Sequence, residues 1–110
     1  MALDIERRRR LLALLDSYSE LLTEHQREVL GLHLERDWSY AEIADVQGVS
    51  RTAVYDLVHR SETVLRDYET KLGLVAAAEQ RERERDQITS RLAELQGELS
   101  DLKKTVKELT

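Results

Sequence analysis

"AEIADVQGVSRTAVYD", residues 41–56, is the stretch on which the fold turns. Just before it, Ser39 and Glu42 stand at the spacing of a capping box, so a short helix opens there. Ile43, Ala44 and Val46 are the apolar residues of that helix. Gly48 stops it, because glycine takes up the left-handed backbone of a helix end at little steric cost. Ser50 caps the helix that follows. Two helices joined this closely need a small residue where they cross, and Ala44 supplies it. Ile43, Val49, Val54 and Leu57 are spaced to lock the second helix at a fixed angle, with Val49 plugging the corner. The pattern predicts a helix-turn-helix.

That geometry turns one face of the second helix outward: Ser50, Arg51, Thr52, Tyr55, Asp56 and His59, with Arg60 beside it. Side chains at the N-terminal end of such a helix reach base edges in the major groove. Arg51 has the fork that pairs with guanine, and Thr52 suits a phosphate or a thymine methyl. Asp56 opposes phosphate binding, and Ser50–Arg60 carries a net charge of only +1 with His59 neutral. The same face therefore also reads as a packing or protein-docking surface on a helix-turn-helix scaffold.

Outward from the corner, helical signals continue in both directions. A first helix starts near Asp4 and runs to about Ser19, with Leu11, Leu12, Leu14, Leu15 and Tyr18 on its apolar face and Leu21 and Leu22 extending that face. Arg7–Arg10 sit in its first turns. Four consecutive helical residues point four ways, so the run reads as a solvated helix start or as a phosphate-contacting end. Thr23 caps a second helix, which buries Val29, Leu30, Leu32 and Leu34. Gly31 inside it suggests a close helix–helix crossing. Downstream, Val54, Val58, Ser61, Leu65, Tyr68, Leu72 and Val75 form one seam of a long helix, which Gly73 kinks or ends.

A second seam follows the charged segment 80–86. Ile88, Leu92, Leu95, Leu99, Leu102, Val106 and Leu109 are separated by 4, 3, 4, 3, 4 and 3 residues. With Leu92, Leu99 and Val106 at heptad position a, the others fall at d, a coiled-coil signature. Such a seam demands a partner helix: the same segment of a second copy, an earlier helix reached by a bend at 80–86, or another protein. A homodimer is expected, with Leu65, Tyr68 and Leu72 as a further oligomerisation surface.

Composition narrows the class. The 110 residues contain no Pro and no Cys, four Gly, and a formal net charge of −5. Few helix breakers favour long helices. Without cysteine there is no disulfide or thiolate metal site, as suits a reducing compartment. The acidic balance argues against strong nonspecific nucleic-acid binding. No signal-peptide run or membrane span is visible, so a cytoplasmic location without membrane insertion is expected. Among the histidines, His25 and His33 lie two turns apart with Val29 between them, which cannot hold a metal. No nucleophile–base set or phosphate loop is present, so neither enzymatic activity, nor a cofactor, nor a small-molecule substrate is expected.

Together, "LLDSYSELLT" (14–23), "DWSYAEIA" (37–44), "VSRTAVYD" (49–56) and "YETKL" (68–72) resemble the YlxM/p13-like family of small bacterial helix-turn-helix proteins. The resemblance covers about Leu14–Leu74. Trp38 stands where that family commonly has Tyr. The segment beyond Ala78 matches no family pattern and reads as a lineage-specific arm. The resemblance implies a fold similar to region 4 of sigma factors, a DNA-binding role, and a link to the signal recognition particle pathway through its protein or RNA. The expected architecture is all-α: a helix-turn-helix domain over residues 1–75, then a charged connector and coiled-coil helix over 76–110.

Overall fold

The computed structural model describes residues 4–110, and among these the chain is helical with no strand. Helix α1 spans Ile5–Tyr18, α2 Glu24–Leu30, α3 Tyr40–Gln47, α4 Arg51–Leu72 and α5 Leu74–Leu109. Local chemistry sets the boundaries. Asp4 caps α1 through the Glu6 N–H, and Thr23 and Gln26 form a reciprocal capping box on α2. Ser39 and Glu42 do the same for α3 at 3.1 Å in each direction. Gly48 (φ +68°) and Gly73 (φ +63°) end α3 and α4 in the left-handed conformation. Gly73 thus divides the long helix into two.

After α2 the ladder widens over Gly31–Glu35, where the Arg36 N–H reaches back to the Gly31 carbonyl at 3.2 Å. Asp37 at φ +60° then turns the chain, and the Trp38 N–H closes on the Leu32 carbonyl at 2.9 Å. Gly31 marks no close crossing: a Cβ built there meets nothing within 4 Å.

The core lies between α4 and the three helices before it. Leu11, Leu14, Leu15 and Tyr18 of α1, Leu22, Val29, Leu30 and Leu34 pack with Ile43, Ala44, Val54, Val58 and Leu65. Ser61 interrupts the α4 seam without an orphaned hydroxyl, since it donates to the Leu57 carbonyl at 2.7 Å. Leu12, Leu32 and Leu57 pack at the margin of this core. Three apolar residues expected inside lie outside it: Leu21, Val46 and Val49 are 52%, 65% and 47% exposed. The corner is held by Ile43, Ala44 and Val54 without a valine plug.

Three of the four arginines of the run, Arg7, Arg8 and Arg10, reach partners far along the sequence, so the run is neither a bare solvated start nor an open phosphate-contacting end. Arg7 pairs with Glu62 at 3.0 Å, and Glu62 is 2% exposed. Arg8 bonds Asp37 and the Leu34 carbonyl, both at 2.6 Å. Arg10 lies 4.0 Å from Glu69. The Glu69 carboxylate accepts from the Tyr18 hydroxyl (2.5 Å) and the Val75 N–H (3.0 Å), while the Leu74 N–H donates to that hydroxyl at 3.0 Å. The first turn of α5, which has no residue before it free to cap, is capped by side chains from α1 and α4.

Chain contacts separate a unit ending at Val75 from one running Ala76–Thr110. Within the second unit the helix runs unbroken through 80–86, so no bend exists there. That segment is laced along its own surface by Gln80–Glu84 and Arg85–Glu82 contacts at 3.2 and 3.4 Å. The heptad residues from Ile88 to Leu109 are all exposed. Leu65, expected in an oligomer surface, is fully buried in the core, and Tyr68 packs against Tyr18 and reaches the Leu21 carbonyl at 3.4 Å. Both serve the domain's own packing; Leu72 stays outside at 55% exposure.

Candidate nucleic-acid interface

Ser50 opens α4, and its hydroxyl takes the Ala53 N–H at 3.1 Å while its carbonyl takes the Val54 N–H at 3.2 Å. The N–H groups of Arg51 and Thr52, one position earlier, have no carbonyl behind them in the helix. They point out of the N-terminal end, where the helix dipole favours negative charge. Arg51 and Thr52 are exposed, and with Tyr40 and Tyr55 they line a concavity of about 410 Å³.

One wall of that concavity is aromatic. His33 lies 4.7 Å from Tyr40 between ring centres, Tyr40 meets Tyr55 edge-on at 5.8 Å, and Tyr55 stacks on His59 at 3.9 Å. Both imidazoles donate through Nδ1 to backbone carbonyls, His33 to Trp38 and His59 to Tyr55, each at 2.9 Å. The Nε2 atom of His33 is buried with no hydrogen-bond partner among the described residues. Burial, and then the nearby Glu62 carboxylate, raises the Tyr40 hydroxyl above its ordinary range. Tyr40 is therefore a neutral hydrogen-bond donor at physiological pH. Sequence reasoning missed Tyr40, because its role depends on α3 crossing α4 beside Tyr55, a contact that no local pattern carries.

The expected outward face divides in two. Ser50, Arg51, Thr52, Tyr55 and Asp56 are exposed as anticipated, and His59 is half-buried against Tyr55. Arg60 lies on the other flank of α4, where its Nε meets the Asp56 carbonyl at 3.3 Å. There it lines a mostly apolar groove of about 250 Å³ with His25, Val29, Gln47, Val49, Ala53, Val54 and Leu57. His25 and His33 share no site, and no group of three or more side chains suited to a metal occurs among the described residues. Among the described residues no helix is long and apolar enough to cross a membrane.

Electrostatics restrain what this face can bind. Between Ser39 and Arg60 the carboxylates of Glu42, Asp45 and Asp56 outnumber the guanidiniums of Arg51 and Arg60. Glu42 is committed to its capping box, whereas Asp45 and Asp56 face solvent. Tight binding to a uniform phosphate lattice needs a surplus of cations, so the face is suited to a few directed contacts instead.

Residues 5–109 match the family model for UPF0122, described as a helix-turn-helix protein, YlxM / p13 like. The match extends well beyond Ala78, so the C-terminal helix is part of the family pattern and not a lineage-specific addition. A UPF0122 protein of Symbiobacterium thermophilum is 46% identical over 83 residues, covering 76% of this chain and 78% of that protein. One from Exiguobacterium sibiricum is 45% identical over 84 residues, 76% of this chain and 79% of its own length. One from Clostridium kluyveri is 52% identical over 71 residues, 64% of each chain.

Proposed function

This chain belongs to the UPF0122 family of YlxM/p13-like helix-turn-helix proteins, and from that premise we propose that it is a non-enzymatic regulatory protein that reads duplex DNA with the first turn of α4. The observation that carries the reading is the uncovered N-terminal end of α4, where Arg51 and Thr52 stand beside Tyr55 and Tyr40. Arg51 is the base-reading side chain, Thr52 and the free N–H groups at the helix end engage a phosphate, and the Tyr40 hydroxyl donates to the adjoining backbone. Asp56 limits nonspecific affinity and favours a cytosine amino group over phosphate.

A binding-site selection with random duplexes, at about 50 mM and again at about 200 mM salt, tests this directly. A preferred sequence should emerge, and Arg51→Ala should weaken it by about 1–3 kcal/mol, roughly 5- to 150-fold. Absence of any selected duplex at the lower salt defeats the proposal.

A second reading is favoured by the carboxylates on the corner and by the apolar groove where Val49 is exposed. In it, the helix-turn-helix is a scaffold for docking to protein or RNA of the signal recognition particle pathway, the link implied by the sequence resemblance. Pull-down against the particle's protein and RNA separates the two: enrichment that survives Arg51→Ala but is lost with Val49→Asp supports docking.

A further inference from the structure

We propose that the C-terminal part of α5, from Ile88 to Leu109, pairs in parallel with the same segment of a second copy of this chain. Taken by itself, residues 76–110 form one unbroken helix, and the seven aliphatic residues of its seam are between 43% and 82% exposed. An aliphatic row repeating every 3.5 residues over about three heptads stays in water unless another helix covers it.

Charge identifies the occupant. Glu98 at position g and Lys103 at the following e lie on opposite sides of the seam. In a parallel pair in register, Glu98 of each copy meets Lys103 of the other, and symmetry makes the contact twice. In an antiparallel pair with Leu95 opposite Leu99, Glu98 faces Glu98 of the second copy and Lys103 faces Thr89; with Leu99 opposite Leu102, Glu98 faces Thr105 and Lys103 faces Gln96, so neither antiparallel register gives an opposite-charge contact. Both residues are available for the contact. Among the described residues neither carries an ion pair within its own helix, whereas Arg91 is bound to Glu94 at 3.0 Å and Arg85 to Glu82 at 3.4 Å. Arg81 and Arg85 occupy the d and a positions just before Ile88. A parallel partner would set each against its own copy, so pairing begins at Ile88 and residues 76–87 remain a single-helix spacer. Of the three a positions, Val106, between Leu102 and Leu109 at d, has the combination that favours two strands, whereas Leu92 and Leu99 at a with Ile88 at d do not, so strand number is read from the mass.

Sedimentation of the full chain, without nucleic acid, tests the proposal separately from DNA reading. The expected mass is twice 12.8 kDa at tens of micromolar chain. Leu95→Glu with Leu99→Glu should give the single-chain mass while the fluorescence of Trp38, which lies in the other unit, is unchanged. Glu98→Lys should weaken the dimer several-fold, and adding Lys103→Glu should restore it. The chain has no cysteine, so Leu102→Cys introduces one thiol. In a parallel pair two such thiols face each other at a spacing that a disulfide spans, and oxidation should cross-link them. In the antiparallel pair with Leu95 opposite Leu99 they lie about 15 Å apart along the axis and cannot join; in the one with Leu99 opposite Leu102, Glu98 faces Thr105, so the Glu98→Lys and Lys103→Glu exchange would leave the dimer unchanged and rules that register in or out. A single-chain mass for the unaltered protein, a mass of three or four chains, or failure of the cysteine variant to cross-link would each overturn the assignment.

Discussion

Replacing Arg7 with Met tests whether the arginine run holds α1 onto α4. Glu62 is buried to 2% exposure, with Arg7 at 3.0 Å and Arg66 at 3.7 Å. The substitution keeps the apolar stem and removes only the closer charge, leaving the carboxylate to Arg66 alone. Breaking a fully buried pair costs about 3–5 kcal/mol, and exposed pairs contribute about 0–1 kcal/mol. Here one partner is buried and the other is 44% exposed. The expected loss falls between these limits, at about 1–3 kcal/mol. For a domain of this size each kcal/mol corresponds to about 4–8 °C in the unfolding midpoint. Trp38 is the one tryptophan of the chain and packs against the domain core, so its fluorescence follows the domain and not the exposed helix. Arg66→Met, at the longer distance and on a side chain 52% exposed, should cost less. In a double-mutant cycle with Glu62→Gln, most of the Arg7→Met loss should vanish, because the group that needed the charge is gone. An Arg7→Met protein within about 0.5 kcal/mol of the parent, the ordinary scatter of surface changes, refutes the reasoning. So does a larger loss from Arg66→Met.

Three further outcomes are expected. Gly31 sits in helical backbone with open space around its missing Cβ, so Gly31→Ala should stabilise by about 0.5–1 kcal/mol in urea unfolding; a loss would mean an unseen clash. Gly48→Ala meets equally open space but is held at φ +68°, so it should cost about 1–2 kcal/mol, and a neutral result would mean that α3 ends differently. Burial, and then the bond to Glu69, raises the Tyr18 hydroxyl above its ordinary value of 10.0. The native state thus holds this proton more tightly than the unfolded chain. Its stabilisation is full below about pH 10 and is lost as pH rises through the folded-state value. The unfolding midpoint should fall on the alkaline side, and Tyr18→Phe should flatten that fall; parallel pH curves for the two proteins would contradict it.

Where legibility stopped is visible in particular residues. Ser39 with Glu42, Thr23, Ser50, Gly48 and Gly73 could be read because each acts on backbone within a few positions of itself. The core stripe of α1 and the α4 seam were legible for the same reason, since helical periodicity is a local property. Val46 and Val49 misled, because apolar character shows that burial is favourable but not that a neighbour is there to provide it. Leu65 misled in the opposite sense: its seam position suggested a partner chain, and its own domain filled the place. Arg7, Arg8 and Arg10 looked like a loose basic run because their partners, Glu62, Asp37 and Glu69, lie 29 to 59 positions away in sequence.

The sequence by itself determined the helices, their caps, the turn at Gly48 and the heptad spacing of the last helix, all consequences of interactions spanning a turn or two of chain. Only the tertiary structure decided that Arg7, Arg8 and Arg10 of α1 pair with carboxylates of α4 and of the turn before α3, that Tyr40 joins Tyr55 in the wall of the concavity at the start of α4, and that Arg60 belongs to the opposite flank. Those outcomes depend on the angles at which whole helices cross, and a crossing angle is set by every side chain in the contact at once.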